Sequence, residues 1–173
     1  VTGGCGAIGK VLVKYLLCHC EPRLVISFDQ DESGLFYQMN TICDTRFEVY
    51  FGDIRSAEDL RNAFQGADCI FHLAASKNVP IGEISPLACI SVNVAGTTNV
   101  VTASREAGVK VVVLSSSDKA VNPVGVMGAT KLLCERLFVA SPSGNGMKAV
   151  TTRFGNVLWT SGSVATVFQK QAK

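Results

Sequence analysis

The sequence predicts an α/β protein built on a doubly wound parallel sheet. Three observations carry this. Short apolar runs alternate with stretches of helical period along the whole chain. One run, Val111-Val112-Val113-Leu114, shows no polar alternation, as a strand covered on both faces requires. A glycine-rich turn opens the first helical stretch, where a strand should hand over to a helix. Alternating strands and helices imply right-handed βαβ units.

The elements follow in order. Val1-Thr2 precede the glycine turn and read as the end of a strand in the middle of the sheet, most of which is absent. Ile8, Leu12, Tyr15 and Leu16 then keep helical spacing. Residues 23–29 (Leu24, Val25, Ile26, Phe28) read as a buried strand, and residues 47–51 as another, with Phe47, Val49 and Phe51 on one face. Ser56 is a candidate N-cap, with Asp59 three residues on, for a short helix bearing Leu60, Ala63 and Phe64. Residues 69–73 and 109–114 read as strands on either side of a long helix, 86–107, stopped by Gly108. A helix over 130–140 carries Leu132, Leu133, Leu137 and Phe138, and residues 149–154 form a fifth strand. Residues 163–173 begin a further helix, so the domain, 1–173, reads as a fragment truncated at both ends. There is no internal repeat, low-complexity tract or obvious linker.

Composition limits the function classes. The 173 residues are 47% hydrophobic and 17% charged, which suits one globular domain with a core rather than a disordered chain. A net charge of +2 gives no argument for nucleic acid or an anionic membrane. No apolar run approaches the roughly 20 residues that span a bilayer. The first residues lack the basic start and apolar stretch of a signal peptide. Seven cysteines without zinc-like pairing, Cys18-His19-Cys20 included, read as free, mostly buried thiols in a reducing compartment and not as metal ligands.

The turn Gly3-Gly4-Cys5-Gly6-Ala7-Ile8-Gly9 satisfies G-x-G-x-x-G. Such glycines let the backbone approach a pyrophosphate, and the helix that follows aims its amides at the phosphates. Asp29, twenty residues past Gly9, is placed to bind the adenosine ribose hydroxyls. Asp53, in Gly52-Asp53-Ile54, is placed near the adenine, and Leu73-Ala74-Ala75 supply small residues along the cofactor's path. These predict a Rossmann-like dinucleotide domain. Asp29 favours NAD over NADP by repelling a 2′-phosphate, with Lys10 and Arg55 available to offset its charge. Asp31 and Glu32 read as the acidic first turn of the next helix.

Ser116-Ser117-Asp118-Lys119 stand at the end of the fourth strand, where parallel sheets open onto a ligand crevice. Lys131 follows on the next helix, and Met127 occupies the position four before it, where short-chain dehydrogenases often carry a tyrosine. A thioether cannot shuttle a proton, so any proton transfer passes to Asp118 and Lys119. The plain alternative is an exposed loop ion pair.

The run from Ser116 to Pro123, followed by Met127-Gly128-Ala129-Thr130-Lys131, resembles the nucleotide-sugar 4,6-dehydratases of polysaccharide biosynthesis, a CapD-like branch of the extended short-chain dehydrogenases. Thr2 to Gly9, Phe28 to Glu32, Gly52 to Arg55, Phe71 to Ala75, Asn93 to Thr97 and Arg153 to Val157 agree with it. The resemblance implies NAD or NADP held by Thr2, Gly3, Gly6, Ala7, Ile8, Gly9, Asp29, Asp53, Ile54, Ala74, Ala75, Lys77, Asn93 and Lys131. It implies a UDP-N-acetylhexosamine substrate touched by Lys77 and Asn156, with Ser117, Asp118, Lys119 and Lys131 catalytic. In it the lysine matching Lys119 removes the C5 proton, the aspartate matching Asp118 helps the C6 hydroxyl leave, and Lys131 holds the nicotinamide ribose and lowers nearby pKa values. Lys119 must be neutral to act so, which calls for burial or a second cation. Departures from the family pattern are Asn78, Trp159 and Thr166; Trp159 would crowd the substrate side. Family members continue into a C-terminal lobe that binds most of the nucleotide-sugar and is largely absent here. A cytoplasmic enzyme is implied, possible as a homo-oligomer, with no membrane contact from this segment, although some relatives carry membrane helices upstream. Two other readings stay open: an epimerase or reductase of the same superfamily, and a non-catalytic dinucleotide-binding fragment.

Overall fold

Among the described residues the apolar runs form five parallel strands: β1 Val25–Asp29, β2 Phe47–Phe51, β3 Cys69–His72, β4 Val111–Ser117 and β5 Lys148–Phe154. The protein is seen in a computed structural model that describes residues 1–140, 146–158, 160, 168, 169 and 171. Trp159, Thr166 and most of the helix expected over 163–173 lie outside those residues.

The strands fall into a pair, β1-β2, and a triplet, β3-β4-β5. Residues 1–3 join the two. Thr2 bridges in parallel to Phe28 on one side and His72 on the other. The amide of Thr2 donates to Phe71 O at 2.9 Å and that of Leu73 to Thr2 O at 3.0 Å, while Gly3 N donates to Phe28 O at 2.9 Å. The spatial order is therefore β2-β1-(1–3)-β3-β4-β5, the doubly wound arrangement, with its switch of direction beside the glycine turn.

Helices fill both faces: α1 Ala7–His19, α2 Glu32–Thr41, α3 Ala57–Ala63, α4 Val79–Ile84, α5 Pro86–Ile90, α6 Gly96–Glu106 and α7 Val126–Ala140. The larger core lies where α3, α6 and α7 meet the sheet, around Phe28, Leu60, Val100, Val112, Leu114 and Phe138. A smaller one holds Val13, Leu17 and Val25. Ser56 caps α3 as expected, its hydroxyl accepting from Asp59 N at 3.2 Å; the Asp59 carboxylate instead accepts from Asp53 N at 3.0 Å.

Several expectations need correcting. Helix α1 buries Gly9, Val13 and Leu17, while Tyr15 lies outside, stacked on His19. Helix α7 begins four residues earlier than expected and buries Met127, Thr130, Lys131, Cys134, Glu135 and Phe138, leaving Leu133 and Leu137 exposed. Both helices are apolar nearly all round, so periodicity alone selects the wrong stripe. Phe51, at the end of its strand, is exposed too. Four of the seven free cysteines (Cys18, Cys20, Cys43, Cys69) are exposed and only three are buried.

The helical run Pro86–Glu106 is long and apolar enough, by length and composition, to cross a membrane, contrary to expectation. Its apolar residues have another use here: Val100, Val101 and Ala103 enter the main core. Between α5 and α6 the run loosens into a π-helical turn, Ser91–Ala95.

His72 locks the joint between the two parts of the sheet. It is 1% exposed; Nδ1 lies 2.7 Å from the Thr2 hydroxyl and Nε2 3.0 Å from that of Thr97 on α6. Burial first, then the positive Lys131, pushes its pKa from 6.5 down to about 3. The folded state keeps it neutral, and the unfolded chain takes up a proton below its ordinary pKa. Stability from this group is therefore complete above about pH 6.5 and is lost as pH falls toward 3, at about 1.4 kcal/mol per pH unit. Urea denaturation across that range should show a steeper loss for the wild type than for His72→Gln.

Candidate active site

A cleft of about 700 Å³ opens at the carboxyl ends of the strands, beside the switch point. Its walls are the glycine turn, the ends of β1, β3, β4 and β5, and the start of α7.

One half is built from backbone. Gly3 has φ +71°, and a Cβ there would sit 2.6 Å from Ala74 N, so only glycine lets the turn lie against the strand beside it. Gly6 N donates to Gly3 O at 3.0 Å and closes the turn. Helix α1 starts directly after, with no side-chain cap and no acid in its first turn, and Gly6, Ala7, Ile8 and Gly9 line the cleft. An uncapped helix start of this kind attracts an anion. Asp29 accepts from Cys5 N at 2.8 Å and from Asp31 N at 3.1 Å. Asp31 caps α2, accepting from Gly34 N at 3.0 Å, with Glu32 in the first turn as expected. Asp53 and Arg55 form a two-pronged ion pair that holds the Asp53 carboxyl below its usual pKa. Arg55 is thereby committed to Asp53 and is not the counter-charge to Asp29 that the sequence suggested. Ile54, Ala74, Ala75 and Lys77 complete this wall.

The other half is built from side chains. After β4 the chain makes a 3-10 turn, Asp118–Ala120. The Ser117 hydroxyl accepts from Lys119 N at 3.3 Å and donates to Asp118 Oδ1 at 2.9 Å. Lys119 Nζ donates to Asp118 Oδ1 at 3.1 Å and to Asn156 Oδ1 at 3.3 Å. The bond from Lys119, then that from Ser117, holds the Asp118 carboxyl below its usual pKa. The Lys119 side chain is 43% exposed, so burial does not isolate it from water. Helix α7 can start against this turn because residue 128 is glycine; a Cβ there would come within 2.5 Å of Lys119 O.

One turn on, Lys131 is 7% exposed and donates from Nζ to Ser115 O at 3.0 Å. Burial lowers its pKa. Met127, 4% exposed, occupies the wall beside it. Glu135, a further turn along, takes two hydrogen bonds from Arg153 at 2.9 and 2.7 Å, which tie α7 to β5. Glu83 on α4 accepts from Val126 N at 2.7 Å and so caps the start of α7.

Gly3, Gly6, Ala7, Ile8, Gly9, Asp29, Asp53, Ile54, Ala74, Ala75, Lys77, Ser117, Lys119, Lys131 and Asn156 all line the one cleft. Asp118 touches it through Lys119 and Ser117. Thr2 and Asn93 do not line it: Thr2 is fully buried against His72. Asn93, in the π turn, accepts from Ser76 N at 2.8 Å and donates to Ser76 O at 3.0 Å and Thr130 Oγ1 at 2.9 Å. It holds the wall loop from behind, as π turns near sites often do. Sequence reasoning gave no role to Gln38, His72, Glu83 or Glu135. The available signal was spacing: Gln38 follows Leu35, and Glu135 follows Lys131, at helical intervals that repeat the buried side.

A profile of the family described as polysaccharide biosynthesis protein matches residues 1–173. The chain belongs to that family. A UDP-N-acetylglucosamine 4,6-dehydratase (inverting) from Campylobacter jejuni is 41% identical over 98% of this chain and 52% of its own length. Among solved structures, Pen from Bacillus thuringiensis is 35% identical with a TM-score of 0.94, covering 98% of this chain and 53% of its own. The dTDP-glucose 4,6-dehydratase DesIV from Streptomyces venezuelae, solved with NAD and TYD bound, is 27% identical with a TM-score of 0.79, covering 88% of this chain and 53% of its own. The chain spans about half the length of the relatives it matches.

Asn93→Ala would strand the amide and carbonyl of Ser76. It should destabilise the protein by about 1–3 kcal/mol in urea denaturation and speed hydrogen exchange at the Ser76 amide.

Proposed function

We propose that this chain is the dinucleotide-binding and catalytic part of an enzyme that removes water from C5 and C6 of a UDP-N-acetylhexosamine. The observation that carries the reading is the joined cluster Ser117–Asp118–Lys119–Asn156 at the mouth of a cleft whose other half is an uncapped helix start behind a glycine turn. The residues fit a dinucleotide. The amides at the start of α1 would receive the pyrophosphate, Asp29 would take the adenosine ribose hydroxyls, and Lys131 would take the nicotinamide ribose. Asp29 favours NAD over NADP. When bound, the nicotinamide would supply reversible hydride storage.

The protein's groups move the protons. Ser117, hydrogen-bonded to Asp118, passes the C4 hydroxyl proton to that carboxylate as the ketone forms. Once Asp118 is neutral, the Lys119 ammonium has lost its carboxylate partner and passes one proton to solvent, which its 43% exposed side chain reaches. The ketone makes the C5 proton acidic; Lys119 takes it while Asp118 returns its proton to the C6 hydroxyl, which leaves as water. Lys119 then gives its proton back to C5; with a hydride stored and returned by the dinucleotide, the sum would be loss of water with no net oxidation. Met127 leaves no phenol to compete for these roles. Lys77 and Asn156 contact the sugar-nucleotide, and a cytoplasmic homo-oligomer goes with this reading.

The test is the full-length protein with NAD and UDP-N-acetylglucosamine, followed by mass spectrometry. The product should be lighter by one water. Asp118→Asn and Lys119→Met should each cut turnover by about 10²- to 10⁴-fold while leaving the NADH dissociation constant unchanged. Wild-type turnover in either variant removes its assigned role. Epimerised product with no water lost favours the epimerase reading, and NADH binding without turnover favours a non-catalytic module.

A further inference from the structure

Gln38 is a buried polar side chain that the scheme above does not use. It is 3% exposed, on the inner side of α2. Its Nε2 donates to Gly4 O at 2.8 Å, and its Oε1 accepts from the Ser27 hydroxyl at 2.6 Å. The Cys5 thiol lies 3.8 Å from the same Oε1. Two donors at Oε1 leave Nε2 turned to the glycine turn. Ser27 is itself fully buried, and a Cβ on Gly4 would meet its hydroxyl at 2.1 Å, so hydroxyl, amide and turn are packed together without space between them.

The carbonyl of Gly4 and the amide of Cys5 belong to one peptide plane and point in opposite directions. Gln38 holds the carbonyl edge; the amide edge donates to Asp29 Oδ2 at 2.8 Å. The other oxygen of Asp29 takes the Asp31 amide at 3.1 Å. Each carboxylate oxygen is thus fixed by one backbone N–H, and Asp29 still lines the cleft. From these contacts we infer that Gln38 is a positioning residue: it sets the Gly4–Cys5 peptide and, through it, aims the Asp29 carboxylate at the adenosine-side ribose of a bound dinucleotide. This rests on the reading of the cleft as a dinucleotide site.

The test is NADH binding to the full-length protein, measured by fluorescence titration. Gln38→Met keeps the length of the side chain but loses both polar contacts, and should weaken NADH by about tenfold or more. Gln38→Glu separates positioning from packing. As a carboxylate it opposes Gly4 O; as a neutral acid it donates to Gly4 O and still accepts from Ser27, and burial raises its pKa. Its NADH affinity should therefore be poor near about pH 8 and recover toward the wild-type value near about pH 6, beyond whatever change the wild type shows over the same range. A Gln38→Met dissociation constant within about twofold of wild type, or a Gln38→Glu pH profile parallel to wild type, overturns the inference. If Gln38→Met fails to fold by circular dichroism, the Gln38→Glu profile decides alone. A wild type that binds no NADH at all removes the dinucleotide reading and this inference with it, an outcome distinct from wild-type binding that Gln38→Met leaves intact.

Discussion

Three residues hold the sheet together. The pair β1-β2 and the triplet β3-β4-β5 meet, among the described residues, through Val1, Thr2 and Gly3, whose backbone bonds run to both sides. The turn that follows must therefore leave the sheet at its centre, where the strand order changes direction. That is why the crevice, the glycine turn and the ends of the neighbouring strands coincide. His72, wedged between Thr2 and Thr97, makes the same joint part of the core. A cost accompanies it: an imidazole without access to water stays neutral only while the fold can keep a proton out.

The two halves of the site are made in different ways. The glycine-turn half uses backbone groups and tolerates few side chains, because Gly3 lies on Ala74 and Gly4 on Ser27. The Asp118–Lys119 half uses side chains that are about half exposed and hold each other. The first half is thus shaped before any ligand arrives. The second keeps an acid and an amine in contact at the cleft, both still open to water.

Much of this was legible in the sequence, and the part that was not has a common cause. The strands were visible because runs such as Val111 to Leu114 have only one economical use. The glycine turn, Asp29 and the Asp118-Lys119 segment were visible because their chemistry is local. The buried faces of α1 and α7 were misassigned because both helices carry apolar residues around most of their circumference, so the choice of stripe falls to the tertiary partner. Thr2 and Asn93 stand behind the cleft wall; sequence shows that a polar residue belongs near a site without showing which side of the wall it stands on. Gln38 and His72 act through hydrogen bonds to residues 34 and 70 positions away, a distance at which a single sequence carries no signal.

The cap that Glu83 places on Val126 gives the cleft a mechanical property. Helix α4 follows directly on the wall residues Lys77 and Asn78, and α7 carries Met127 and Lys131. Glu83 couples the two, so α4 cannot move away from α7 without uncapping the helix that carries the buried Lys131 amine. Any movement of α4 would therefore be felt at the side of the cleft lined by Met127 and Lys131.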